Sequence, residues 1–262
     1  MHAPQENKPR LLGVLQFWHA DLAQMNGLMN LMADLAQSYA PRIDFLLYPR
    51  YDTNIRELTA LKALEKAFNV GGMRSRRQRS GWPYGPNAQA MDAFMDVRKL
   101  YDDGNFPYAG ALLMEADCVP LTLSWADDIL DEFVASGKLA SGHWDGSRDG
   151  NPPSSHMNGN LIFHPKLVHE IPELADGEVP MWGWDMHFWS RIRPFAHPSR
   201  LIYSDYRLNT PDNPLLGCNH LFAPRKHTHP DNPLSGQELK PSWLHGIKGT
   251  AGIDCVRSKL LA

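Results

Sequence analysis

Apolar positions in this chain come in short blocks of two alternating kinds. Residues 11–18 (LLGVLQFW) are nearly all apolar, with β-branched and aromatic members, and predict a buried strand. After His19 and Asp21 the spacing changes. Leu22, Met25, Leu28, Met29, Met32 and Leu35 recur at helical intervals, and the helical stretch runs to Ala40 before Pro41 stops it. The methionines read as core packing rather than as cofactor contacts. Residues 43–48 (IDFLLY) predict a second strand, and 55–69 a second helix with Leu58, Leu61, Leu64 and Phe68 on one face. This alternation predicts an α/β fold with a mostly parallel sheet.

Residues 71–87 (GGMRSRRQRSGWPYGPN) lack a periodic apolar pattern and predict a long loop, a kind of segment that often carries function. A helix is expected from about Ala88 to Tyr101, then a strand over 109–114 (AGALLM) that runs into Glu115-Ala116-Asp117-Cys118-Val119-Pro120. Further on, the pattern predicts a helix over 125–136, strands over 138–144 and 158–164, a short helix from Trp182 to Ile192, and a last strand over 201–204. The stretch from Thr210 to Pro241, dense in Pro, Asn and His, reads as loop laid over the surface, and 250–261 as a closing helix. No internal repeat is visible.

Composition narrows the class. With 43% hydrophobic and 21% charged residues, 262 residues suit one large globular domain and not a disordered or fibrous chain. No run approaches the roughly 18 apolar residues of a membrane span, and residues 1–10 are polar rather than signal-like, so no membrane insertion and a cytoplasmic location are expected. Cys118, Cys218 and Cys255 are widely spaced and odd in number, which points to a reduced compartment rather than a disulfide framework. A net charge of −3 means that a polyanionic partner would have to meet a local basic patch, for which residues 74–79 are the candidate.

The chemistry centres on the end of the 109–114 strand. Two carboxylates one residue apart, Glu115 and Asp117, can reach one hard cation there, because ligands bind beyond strand ends in α/β sheets. Mg2+ or Mn2+ held in this way would neutralise a leaving diphosphate. Downstream, Met181-Trp182-Gly183-Trp184-Asp185 offers aromatic faces for sugar C–H groups and a carboxylate able to accept a hydroxyl proton. Trp182 and Trp184 as core and Asp185 as a helix N-cap is the plainer alternative. Later still, His245 can supply a third metal ligand and Lys248 can meet a phosphate.

In the order of these elements the chain resembles the GT-A family of metal-dependent glycosyltransferases over roughly residues 11–250. There an Asp-x-Asp-type motif ends a central strand, a Trp-Gly-x-Glu/Asp-like segment follows, and a histidine lies near the C terminus. Glu115-Ala116-Asp117, Trp182-Gly183-Trp184-Asp185 and His245 stand in those places. Glu replaces the commoner first Asp, and Asp185 is a methylene shorter than the Glu of some inverting members. The resemblance implies a Rossmann-like sheet in a single 1–262 domain, with 11–120 as nucleotide-binding half and 121–262 as acceptor-binding half with a loop-rich C-terminal segment. It implies a nucleotide-diphosphate sugar as donor, a UDP-sugar first. Asp117 would be the principal metal ligand, with Glu115 on ribose or metal and His245 completing the shell. Asp185 would be the base, and Gln16, His19 and Asp21 would seat the nucleotide.

Arg74, Arg76, Arg77 and Arg79, followed by Trp82 and Tyr84, leave several readings open: a solvated loop, an arginine (Arg74) on the donor diphosphate, or a grip on the acceptor. The last includes Trp182 and Trp184 as acceptor contacts. It extends to DNA with hydroxymethylated bases, as in phage enzymes that glycosylate such bases after exposing them. Two other functional classes compete: a nucleotidyltransferase making a sugar nucleotide, and a non-catalytic carbohydrate- or nucleic-acid-binding module.

Overall fold

The computed structural model describes residues 8–146, 155–205, 218–227 and 232–262. Strand β1 (Leu11–Phe17), helix α1 (Leu22–Ser38), β2 (Ile43–Pro49), α2 (Leu61–Ala67) and the short β3 (Val70–Gly72) build the first half of a sheet. Helix α3 (Tyr84–Asp102) leads to β4 (Gly110–Glu115) and β5 (Cys118–Pro120), then α4 (Trp125–Ser136), β6 (Ala140–Gly146) and β7 (Ser155–Phe163). Short turns of helix follow: α5 (Lys166–Glu170), α6 (Glu173–Asp176), α7 (Trp184–His187) and α8 (Trp189–Ile192). Next come β8 (Ala196–Pro198), β9 (Ile202–Ser204), α9 (Cys218–Leu221), β10 (Arg225–Lys226), β11 (Glu238–Leu239), β12 (Trp243–His245) and α10 (Ala251–Leu260).

The main sheet has seven strands in the order β3-β2-β1-β4-β7-β6-β8, and only β7 runs against the others. Side chains alternate across it. Leu11, Leu15 and Phe17 of β1 join a core with α1, α4 and α10, while Leu12 and Val14 join another beneath α3 and Trp184. The methionines of α1 are buried in the first core, where their flexible side chains fill gaps. Gln16 of β1 and Glu115 of β4 are register partners on the second face. A smaller sheet, β5-β12-β9, continues from β4 through a two-residue turn, and Trp243 of β12 stacks on Trp125 of α4 with ring centroids 4.5 Å apart.

Several expected elements change shape. The 55–69 helix is a 3-10 turn over Ile55–Glu57 followed by α2, because the Asn54 side chain accepts the Arg56 N–H at 3.2 Å and offers the backbone a local partner. Helix α3 begins at Tyr84 rather than Ala88. Pro86 is tolerated there because N–H groups of a first turn have no helical acceptor. The 71–87 loop also cedes Gly71 and Gly72 to β3; with no side chains they leave Val70 as the strand's one apolar position, too short a pattern to read as a strand. The single helix expected over Trp182–Ile192 is two turns meeting at Phe188. Of the surface loop expected over 210–241, residues 210–217 and 228–231 lie outside the described residues. The cysteines depart from expectation: Cys118 is a buried free thiol, but Cys255 is disulfide-bonded. No helix among the described residues is long and apolar enough to cross a membrane.

Candidate metal and nucleotide site

Strand β4 delivers Glu115 to the rim of the sheet, and the turn at Ala116 and Asp117 hands the chain to the small sheet. Asn160 of β7 pins both ends of that turn. Its fully buried side-chain oxygen accepts the Glu115 N–H at 3.1 Å and the Cys118 thiol at 2.9 Å. Burial, with Asp117 and Glu115 adding to it, pushes the Cys118 thiol well up, so it stays a donor. From the other side the Asp117 carbonyl accepts the N–H groups of Gly246 at 3.1 Å and Ile247 at 2.9 Å. These bonds fix the start of a late segment against the acid turn.

His245 lies opposite Cys118 and beside Ser204 in the small sheet. Its Nδ1 is 3.2 Å from the Ser204 hydroxyl, while Nε2 stands 3.1 Å from Asp117 Oδ1 and 3.4 Å from Glu115 Oε2. Lys248 Nζ donates to the other Asp117 oxygen. Burial would raise the Asp117 carboxyl, but His245 and then Lys248 outweigh it and hold the group well below the usual carboxylate range. Burial likewise opposes a charged His245, yet Asp117 and Glu115 push it up to about 10. Lys248 is raised in the same contest between burial and Asp117. One ligand atom each from Glu115, Asp117 and His245 falls within a 4.8 Å cluster. Two carboxylates and an imidazole form a mixed oxygen and nitrogen donor set that suits Mn2+. The residues therefore fit a divalent cation, provided His245 gives up its proton.

A cavity of about 360 Å3 opens over the carboxyl ends of β1, β2 and β4, lined in part by Gln16, Asp21, Arg50, Trp82, Trp184 and Lys248. Gln16 is buried at the end of an apolar strand, and its side-chain nitrogen has no hydrogen-bond partner among the described residues. Arg50, directly after β2, is held in a fork by Asp52 at 2.6 and 2.7 Å and lies 4.5 Å over the Trp18 ring. Burial, with Asp117 and Glu115 adding repulsion, pushes the Asp21 carboxyl up to about 6 against its bond from Trp18.

The structure brings Gln16, Asp21, Glu115, Asp117, His245, Lys248, Trp82 and Trp184 to this region, and others lie elsewhere. His19 is exposed, with its ring against Trp18. Arg74 reaches the Tyr51 carbonyl at 2.8 Å; Arg76 pairs with Asp96 at 2.7 Å and Arg77 with Asp92 at 3.2 Å, so each has an intramolecular partner, although Arg74 and Arg76 stay exposed. Arg79 is exposed, and neither it nor Tyr84 lines the cavity. Trp182 is 66% exposed and outside the lining, whereas Trp184 is buried and lines the cavity. Asn87 ties that segment down, binding the carbonyls of Pro180 and Trp182 and the N–H of Trp184. Asp185 is not among the residues that line the cavity and stands 3.8 Å from His156 Nε2; burial raises its carboxyl, with His156 opposing. The sequence reading passed over Arg50, Trp18 and Asn160. Arg50 carried a usable signal, its place just past a strand end; Asn160 carried none.

The architecture is a mixed α/β, Rossmann-like fold with a mostly parallel central sheet flanked by helices. Among solved structures it is similar to that of WbbM, described as a bifunctional glycosyltransferase in its apo form, with a TM-score of 0.55 at 12% identity. The likeness covers 99% of this chain and 53% of the other, so the chain spans about half the length of that protein. No protein-family model matches the sequence, and neither does any curated protein sequence.

Proposed function

We propose that the chain is a GT-A type, metal-dependent glycosyltransferase that moves a sugar from a nucleotide diphosphate to an acceptor hydroxyl. The observation that carries this reading is the meeting of Glu115, Asp117 and His245, drawn from two sheets, beside a cavity over parallel strand ends. Asp117, His245 and Glu115 would hold Mn2+ or Mg2+, which when bound supplies positive charge to a leaving diphosphate. Gln16 offers an amide donor, and the Trp18 and Arg50 pair a flat cationic face, at the end where a nucleoside would enter. Trp82, 77% exposed at the cavity rim, gives a sugar ring an apolar platform. Asp185, whose carboxyl burial raises, would take the acceptor proton; it lies outside the cavity lining, so the acceptor hydroxyl would have to reach it from the cavity edge.

Thermal unfolding with UDP and other nucleoside diphosphates, with and without Mn2+, tests the reading. Nucleotide and metal together should stabilise the chain by about 2.7 kcal/mol at a hundredfold excess over Kd, and nucleotide alone by far less. No shift with any diphosphate would sink it. Asp185→Asn should keep donor binding and lose transfer by roughly a hundredfold or more; unchanged turnover would remove the base assignment. Because His245 must shed a proton to bind metal, Mn2+ affinity measured by calorimetry should rise from pH 6 to pH 8.

A further inference from the structure

We propose that Lys248 is a tethered counter-ion that stands on Asp117 in place of a divalent cation and yields when the cation binds, so that this one side chain sets the metal affinity. The proposal rests on the reading of Asp117 as a metal ligand. Both oxygens of that nearly buried carboxylate face positive or imidazole groups: Oδ1 is 3.1 Å from His245 Nε2, and Oδ2 carries the Lys248 ammonium. An ion bonding to Oδ2 at about 2.1 Å would sit against that ammonium, and like charges so close cannot share one oxygen.

The surroundings allow the ammonium to leave while the backbone stays. Gln24 of α1 clasps the segment on both sides of Lys248, donating to the Ile247 carbonyl and accepting the Gly249 N–H at 3.1 Å. Gly246 and Gly249, with φ of 99° and 77°, take left-handed conformations that a side chain would resist, and these fix the bends around the clasp. The Lys248 side chain itself is 57% exposed and lines the cavity. Displacement therefore needs only its own torsions, and its destination is the cavity that Asp21 and Glu115 also line.

Direct Mn2+ binding, read by electron paramagnetic resonance without nucleotide, tests this on the wild type and Lys248→Met. The variant should bind about tenfold tighter or more. Loss of a nearby positive charge alone would also tighten binding, so a second measurement follows Lys248 in the wild type. Its reductive methylation, read by mass spectrometry, should increase when Mn2+ saturates the site and not when NaCl matches the ionic strength. Equal or weaker binding by the variant overturns the proposal, as does unchanged methylation on saturation. Failure of both proteins to bind Mn2+ also overturns it, while sugar transfer without metal would leave the transferase reading standing. If the variant does not fold, the wild-type labelling decides alone.

Discussion

Asn160 shows how much one buried amide can organise. Replacing it with Ala strands the Glu115 N–H and the Cys118 thiol in a dry interior, a loss of roughly 1–3 kcal/mol. Asn160→Ala should lower the unfolding free energy from urea melts by that amount and weaken Mn2+ binding, because the acid turn loses its anchor; intact metal affinity would show that the small sheet alone holds Asp117. Asp21 gives a pH test. Its folded-state value, about 6, lies above the unfolded one, so its contribution is full below about pH 4 and is lost as pH rises through 6. Asp21→Asn should therefore outlast the wild type by about 1 kcal/mol above pH 7, after allowing for solvent screening, with the gap closing by pH 4 in paired urea melts. Glu115 and Asp117 were legible as residues because acids ending an apolar strand contradict its pattern, and His245 only through its order after them and after the Trp182–Asp185 segment. Asn160 was not, since its role depends on a turn 45 positions upstream.

At the scale of elements, α3 decides what the arginine loop does. Asp92, fully buried, accepts from the Ser75 hydroxyl and the Arg76 and Arg77 N–H groups and pairs with the Arg77 guanidinium. Asp92→Ala should cost about 3 kcal/mol in denaturant unfolding, because it leaves buried donors and a charge without a partner. Arg76→Ala, whose side chain is 57% exposed, should cost under about 1 kcal/mol. Elements with a full apolar period, such as β1, α1 and α4, were readable from sequence. Strands β3 and β12 were not: one pairs through two glycines, and the other exists because β5 and β9 flank it.

For the whole molecule, charge weighs on the acceptor. With a net charge of −3 and Arg76 and Arg77 committed to aspartates, duplex DNA should bind no tighter than nonspecifically, with Kd of about 10 μM or weaker at 150 mM salt by fluorescence anisotropy. Submicromolar, steeply salt-dependent binding to DNA carrying hydroxymethylated bases would instead favour that acceptor. The fold class and the order of the chemical groups were visible in the sequence. The joining of two sheets at residues 116 and 117 was not, because periodicity describes each strand but not the partner it will find.

That seam also imposes an order in time. Asp117 and Lys248 are 131 positions apart, and at typical synthesis rates the second emerges on the order of ten seconds after the first. Until β12 arrives, a nascent chain can pair β1 with β2 and β4, yet it carries a carboxylate facing inward with neither His245 nor Lys248 to balance it. The site is therefore completed only when the last strand of the small sheet is laid down and brings His245 and Lys248 to Asp117.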